Sequence, residues 1–254
     1  MSLKKNFFSI NEKKIKHGFF TRLNGVSKRQ FESLNCSFSC GDKKKLVYKN
    51  REISLKYLKL NKKKLILLNQ THSTKVIRID QNNQNNKLTG DGLITSLNHV
   101  VLGILTADCA PIFIYDDKKK FICCLHSGWK GTLKNIAKNA IKHFDKLKIE
   151  RQSLIAIIGP CLGVRNYEVD KTFEVRFLKQ NRKYANFFKN KNKSKSYFDL
   201  RGLINYQLSI LGIKRIYNIK RDTYSNDSLF FSHRRSSHQS QKSTGRLINL
   251  ISFS

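Results

Sequence analysis

Between residues 92 and 125 the chain alternates short apolar runs with polar breaks. Residues 92–95, 100–105, 112–115 and 121–125 are each of strand length and bounded by Gly, Asn, Asp or Lys, which predicts a dense β region. From Lys130 the period changes. Leu133, Ile136, Ala137, Ala140, Ile141, Phe144 and Leu147 recur at helical spacing, with Lys134, Lys138, Asn139 and Lys142 on the opposite face. A helix is therefore predicted after residue 130. His126 falls where a strand ends and that helix begins, and Gly128 and Gly131 permit a tight turn there.

The flanking segments follow similar rules. Residues 17–42 are turn-rich and predict strand, loop, strand. Residues 43–60 carry an imperfect helical pattern, with Asp42 as its expected N-cap. Short strands are expected at 65–68 and 76–79, and His72 lies in the NQTHSTK junction between them. Residues 81–87 form a polar, low-complexity loop. A buried strand at 154–158 ends at the Gly159 and Pro160 pair. A helix within 167–179, an exposed loop over 180–196 and a helix over 200–211 follow, the last closed by Gly212 in a left-handed conformation. Strands at 213–219 and 247–253 complete the pattern. Strands cluster before residue 130 and alternate with helices after it. No repeat or linker divides the chain, so one domain over 1–254 is expected, of α/β or α+β class, with sheets covered by helices.

The net charge of +33 changes this picture little. Basic residues are spread through every segment, with runs at 43–45, 62–64 and 118–120 placed at turns or helix starts. That distribution describes a solvated surface rather than a nucleic-acid face, and no nucleic-acid motif is present. It would still concentrate small anions such as phosphate. Six cysteines occur in a chain with an ample apolar content of 39%, so disulfides are not required for stability. Adjacent Cys123 and Cys124 should point to opposite faces of one strand as buried thiols. A reducing cytoplasm is expected, with no secretory leader and no apolar run near the ~18 residues of a membrane span.

Candidate chemistry concentrates on His72, Cys109 and His126. A thiolate and two imidazoles suit tetrahedral zinc, and three protein ligands leave a position for substrate. The same residues would also serve a cysteine nucleophile, with His126 as base and Asp108 or another carboxylate as orienter. Spacing alone leaves both open, alongside the plain reading of a core cysteine and ordinary histidines. Arg22, just before the turn at Asn24 and Gly25, is placed to bind an anion or to lie on the surface. The cluster of His233, Arg234 and Arg235, followed by Thr244, Gly245 and Arg246, is either a phosphate clamp or a basic loop. Trp129 either stacks on a flat ligand or packs on its helix. Asp108 and Glu168 are candidate proton handlers.

Six ordered motifs carry a resemblance. HGFFTRLNGVS with SLN resembles an opening HGF-x-TR-x-GGVS…SLN. NQTHSTKV resembles Q-x-H-G-x-x-V, and DGLITS…LGILTADCAPIFIYD resembles DG-x-x-T…TADC-x-P. LHSGWKG resembles HAGWRG, IGPCLGVRNYEV resembles GPCIG…YEV, and FFSHRR…TGR resembles FFS-x-RR…TGR. Together they resemble the bacterial YfiH family, also called laccase-domain or polyphenol oxidase proteins, purine nucleoside phosphorylases and peptidoglycan-editing factors. The resemblance implies an α/β sandwich layered helix–sheet–sheet–helix, similar to the catalytic domain of cytotoxic necrotising factor toxins. It implies zinc, or copper, on His72, Cys109 and His126. It also implies phosphorolysis of adenosine, inosine, guanosine or methylthioadenosine, together with adenosine deamination. Nucleoside and phosphate are then the partners, with Arg22, Arg234 and Arg235 for anion binding, and neither membrane nor nucleic acid is expected. A cysteine hydrolase editing peptidoglycan precursors and a copper-dependent phenol oxidase are the alternatives. Multicopper chemistry fits poorly, since the chain has seven scattered histidines. The sequence departs from the family pattern at Asn24, Ser127, Lys130 and Asp222, the last standing where the family often has a cysteine before threonine, and none of them is an expected ligand.

Overall fold

The computed structural model describes residues 3, 4, 6–10, 12–118 and 120–254. Lys119, within the basic run at 118–120, lies outside them. The chain opens with β1 (Leu3–Lys4), β2 (Phe7–Phe8) and β3 (Ile15–Phe20), followed by α1 (Lys44–Tyr57). Next come β4 (Lys64–Leu67), β5 (Val76–Ile79), β6 (Gly92–Thr95), β7 (Val100–Thr106), β8 (Ala110–Asp116) and β9 (Ile122–Ser127). Helices α2 (Trp129–Leu133) and α3 (Ile136–Lys146) lead to β10 (Leu154–Ile158). The remainder is β11 (Glu168–Asp170), α4 (Lys171–Gln180), β12 (Phe188–Asn190), β13 (Lys195–Phe198), α5 (Leu200–Ile210), β14 (Arg215–Asn218), α6 (His233–His238) and β15 (Leu247–Phe253).

Two six-stranded mixed sheets form the centre, in the orders β1-β2-β3-β15-β7-β4 and β14-β10-β8-β9-β6-β5. A three-stranded sheet, β11-β13-β12, stands beside them. The inner faces of the large sheets meet through Leu102, Ile104, Phe113, Tyr115, Cys124 and Ile251. The outer face of the second sheet packs Ile112, Ile114, Cys123 and Ala156 against α3 and α5. The outer face of the first sheet packs Val101, Ile248 and Leu250 against Ile53 of α1 and the segment that follows it. The result is an α/β architecture layered helix–sheet–sheet–helix. Strands β8 and β9 read as continuous apolar runs because they are covered on both faces. Cys123 and Cys124 do point to opposite faces, one toward the helices and one between the sheets.

Several expectations need correction. The helix expected after residue 130 is broken at Asn135, which adopts a left-handed φ of 56° and whose side chain accepts from the Lys138 N–H. Asp42 does not cap α1. Its carboxylate instead accepts from Ser27 Oγ at 2.6 Å and Asn35 Nδ2 at 2.9 Å. No second strand forms within 17–42 among the described residues, because side-chain hydrogen bonds from Asn35, Asn50 and Ser33 hold that backbone. The exposed loop expected over 180–196 contains a 3-10 helix at Arg182–Phe187 and strands β12 and β13. Its lysines hid the apolar members, since Phe188 and Phe198 stack with centroids 4.9 Å apart. Asn24 and Gly212 do take left-handed φ values of 61° and 91°. Among the described residues no helix is long and apolar enough to cross a membrane.

Phe113 is fully buried between the sheets and stacks on Phe19 at 4.3 Å. Phe113→Ala should cost about 3–5 kcal/mol of stability through lost transfer energy and a residual cavity. Urea denaturation checks this, and a midpoint matching the native chain would contradict the layered core.

Candidate functional site

Hairpin β8–β9 brings two of the three candidate ligands together. Its register pairs Pro111 with His126 and Ala110 with Ser127, so Cys109, just before β8, lies beside the end of β9. His72 reaches the same point from the loop between β4 and β5, where it adopts a left-handed φ of 57°. One ligand atom from each of His72, Cys109 and His126 lies within 4.8 Å of the others. The two imidazole rings meet edge to face at 4.8 Å. Gly128 makes this approach sterically open: a Cβ there would sit 2.7 Å from Cys109 Sγ and 3.0 Å from His72 Nδ1.

Asp91, which the sequence did not single out, organises the centre. It is fully buried, and its Oδ1 lies 2.7 Å from His126 Nδ1. The same carboxylate accepts the backbone N–H groups of His72 at 3.0 Å and Ser73 at 2.6 Å, and Ser73 Oγ at 2.7 Å. Burial opposes its charge, but the hydrogen bonds from His126 and Ser73 hold it well below the usual carboxylate range. The one available signal was its place in the DG pair that opens a strand.

Burial also opposes a thiolate at Cys109. The charge and hydrogen bond of His126, then those of His72, override it and lower the thiol from 9.0 to about 6. Burial likewise opposes a cationic His126, while the Cys109 charge and the Asp91 hydrogen bond raise it to about 9. Both shifts favour a thiolate beside an imidazolium. Cys123 and Cys124, buried without such partners, are shifted upward by burial.

The three residues line a cleft of about 950 Å³. Trp129, Tyr167 and Phe173 give it an aromatic side, with Trp129 and Phe173 centroids 5.2 Å apart. Trp129 thus both packs on the helical layer and faces the cleft. Arg234 lines the cleft too, its guanidinium 5.4 Å from the Tyr167 ring centroid and its Nη1 donating to Glu168 O at 2.9 Å. Arg22 and Arg235 lie elsewhere, in a smaller depression with Asp227 and Gln239. Arg235 spends its guanidinium on the carbonyls of Thr223, Tyr224 and Phe230. Arg22 donates to the Glu32 carbonyl and covers the Phe231 ring at 4.5 Å. Asp108 lines the cleft, but its carboxylate accepts from Thr223 Oγ1 and the Arg234 N–H, each at 2.6 Å. Glu168 also lines it and pairs with Lys191 and Lys195.

The thiolate is the alkylated form, and its pKa is depressed. Labelling of Cys109 by iodoacetamide in chelator-treated protein should therefore persist as pH falls and fade only through about 6. A midpoint at the ordinary value of 9.0 would contradict the ion pair. Gly128→Ala should displace Cys109 and His72, and the same profile should then move toward the ordinary value.

Residues 16–254 match a family described as multi-copper polyphenol oxidoreductase laccase. The chain is 32% identical to the purine nucleoside phosphorylase YlmD of Bacillus subtilis, over 95% of this chain and 89% of that protein. It is 27% identical to the purine nucleoside phosphorylase YfiH of Escherichia coli, over 91% of this chain and 90% of that one. A crystal structure of a Neisseria meningitidis protein superposes with a TM-score of 0.88 at 26% identity, covering 98% of this chain and 99% of that one. With sequence and fold matched over nearly its whole length, the chain belongs to the laccase-like family of YfiH and YlmD.

Proposed function

We propose that this chain is a zinc-dependent purine nucleoside phosphorylase that also deaminates adenosine in the cytoplasm. The observation that carries the reading is the convergence of His72, Cys109 and His126 in a cleft with an aromatic side. The donor set fits zinc: one thiol already lowered toward thiolate, and two imidazoles. Asp91 on His126 Nδ1 leaves Nε2 to act as the ligand atom, the usual carboxylate–histidine arrangement around a metal. The ion held there would supply Lewis acidity toward an oxygen of phosphate or water.

The chain's own residues do the rest. The cleft volume of about 950 Å³ suits a nucleoside with an oxyanion. Trp129, Tyr167 and Phe173 offer flat surfaces to a purine. Arg234 and Lys130 add positive charge to the lining of the cleft. In phosphorolysis a phosphate oxygen bonds to the anomeric carbon, the glycosidic C–N bond breaks, and the purine leaves with a proton. Arg22 and Arg235, in the second depression, then support the fold from outside the cleft.

A second reading is favoured by one observation: Cys109, His126 and Asp91 line up as thiolate, base and orienting carboxylate. A cysteine hydrolase acting on a peptidoglycan precursor would use that set without metal. Copper-dependent phenol oxidation, the activity in the family's description, would use the same donors, since thiolate and imidazole also suit copper. Among the described residues the donors form one three-residue cluster, which supports single-ion over multicopper chemistry.

Incubating zinc-loaded protein with adenosine, with and without phosphate, separates these. Adenine and ribose 1-phosphate are expected only with phosphate, and inosine in both arms. No base release or deamination across purine nucleosides would overturn the reading, and full activity after chelation together with stable covalent labelling of Cys109 would favour the hydrolase. Asp91→Asn should weaken zinc binding about 10–100-fold, measured by competition with a chromophoric chelator. His72→Ala should abolish stoichiometric zinc.

A further inference from the structure

The cleft has a basic wall separate from its three donor residues. Arg51, on α1, and Arg246, just before β15, both line it. The segment around Cys36 ties them together. Arg51 Nε donates to Cys36 O at 2.9 Å, and the Cys36 N–H donates to Arg246 O at 3.1 Å. The Arg246 N–H in turn donates to Asn35 Oδ1 at 2.9 Å. The Arg51 guanidinium lies over Phe38, 4.1 Å from the ring centroid, which fixes its plane. Arg246 Nη1 donates to the carbonyls of Thr244 at 2.7 Å and Gly245 at 3.1 Å.

Both arginines are half-buried, and among the described residues neither forms an ion pair with a carboxylate. Among the described residues, no acceptor meets either Nη group of Arg51, nor Nε or Nη2 of Arg246. The cleft's carboxylates are engaged elsewhere: Asp108 with Thr223 and the Arg234 N–H, Glu168 and Asp170 with lysines. Burial already disfavours the charge on Arg51. Half-buried guanidinium forks without a counter-ion suit a tetrahedral oxyanion.

Building on the phosphorolysis reading, we propose that Arg51 and Arg246 form the phosphate seat of the cleft that holds His72, Cys109 and His126. The shared chemistry is a phosphate group, supplied either as inorganic phosphate or as the monoester of a nucleotide. Arg22 and Arg235, whose N–H groups face backbone carbonyls in the other depression, do not take this part.

Calorimetric titration of inorganic phosphate into the zinc-loaded full chain, at physiological chloride, tests the proposal. Arg51→Gln and Arg246→Gln should each weaken phosphate binding by about tenfold or more, the worth of one charged hydrogen-bonding fork. Lys134→Gln, an exposed charge on the surface, controls for the general basicity and should leave the affinity unchanged. If a glutamine variant fails to fold, Arg51→Lys and Arg246→Lys keep the charge, lose the fork and should still bind phosphate more weakly. A parallel titration with adenosine 5′-monophosphate identifies the source: tighter binding than inorganic phosphate, lost in the same variants, marks a nucleotide seat. Unchanged phosphate affinity in the folded Arg51 and Arg246 variants, or no binding to the native chain, overturns the proposal. Phosphate binding that depends on both arginines without phosphorolysis of any purine nucleoside leaves the seat standing and overturns the phosphorolysis reading. Phosphorolysis with an unchanged phosphate KM in Arg51→Gln does the reverse.

Discussion

The carboxylate of Asp91 sits at the strand end where the loop of His72 and the strand of His126 meet. It takes the His126 ring on one oxygen and gathers the backbone N–H groups of His72 and Ser73. The Asp91 carbonyl also accepts the His126 N–H at 2.7 Å. A buried anion of this kind is stable only while every lone pair has a donor. The site and the local fold therefore depend on the same hydrogen bonds. The left-handed backbone at His72 is held by them, and backbone strain of that sort persists where surrounding contacts over-determine it.

The layers supply the rigidity that a converging site needs. Hairpin β8–β9 is buried on both faces, so the ends of its strands are fixed by packing on two cores at once. Cys109 and His126 inherit that rigidity, and the absence of a side chain at Gly128 leaves room for Cys109 and His72 to approach. Asp108 extends the same framework outward, since its carboxylate fastens the Cys109 loop to Thr223 and to the start of α6. Arg234 is thereby held at the cleft, while its neighbour Arg235 turns to backbone carbonyls on the other side. Adjacent arginines on a helix cannot share a direction, and the fold uses the two differently.

Charge is arranged along similar lines. The chain is strongly basic throughout, yet the cleft is basic in a particular way. Its acids are already partnered, whereas among the described residues Arg51 and Arg246 keep N–H groups without acceptors. A surface lysine loses little by remaining hydrated, but a half-buried guanidinium gains from an anion. The general charge can concentrate anions near the protein, and the arginine pair can choose among them.

By itself the sequence determined the β-rich centre, the amphipathic α3, the left-handed glycine after α5, and the identity of the three donor residues as a candidate set. These are readable because periodicity, turn chemistry and donor type are local properties of the chain. The break at Asn135 and the sheet hidden in residues 180–196 were not readable, because one depends on a side-chain cap and the other on aromatic packing across distant segments. Only the tertiary structure decided which of the basic residues share the cleft. On spacing Arg22, Arg234, Arg235 and Arg246 were all candidates, and Arg51 was not singled out. An arginine's part is set by which acceptors its N–H groups meet once the sheets close. That pairing joins residues as far apart as Arg51, Cys36 and Arg246, which no local pattern records.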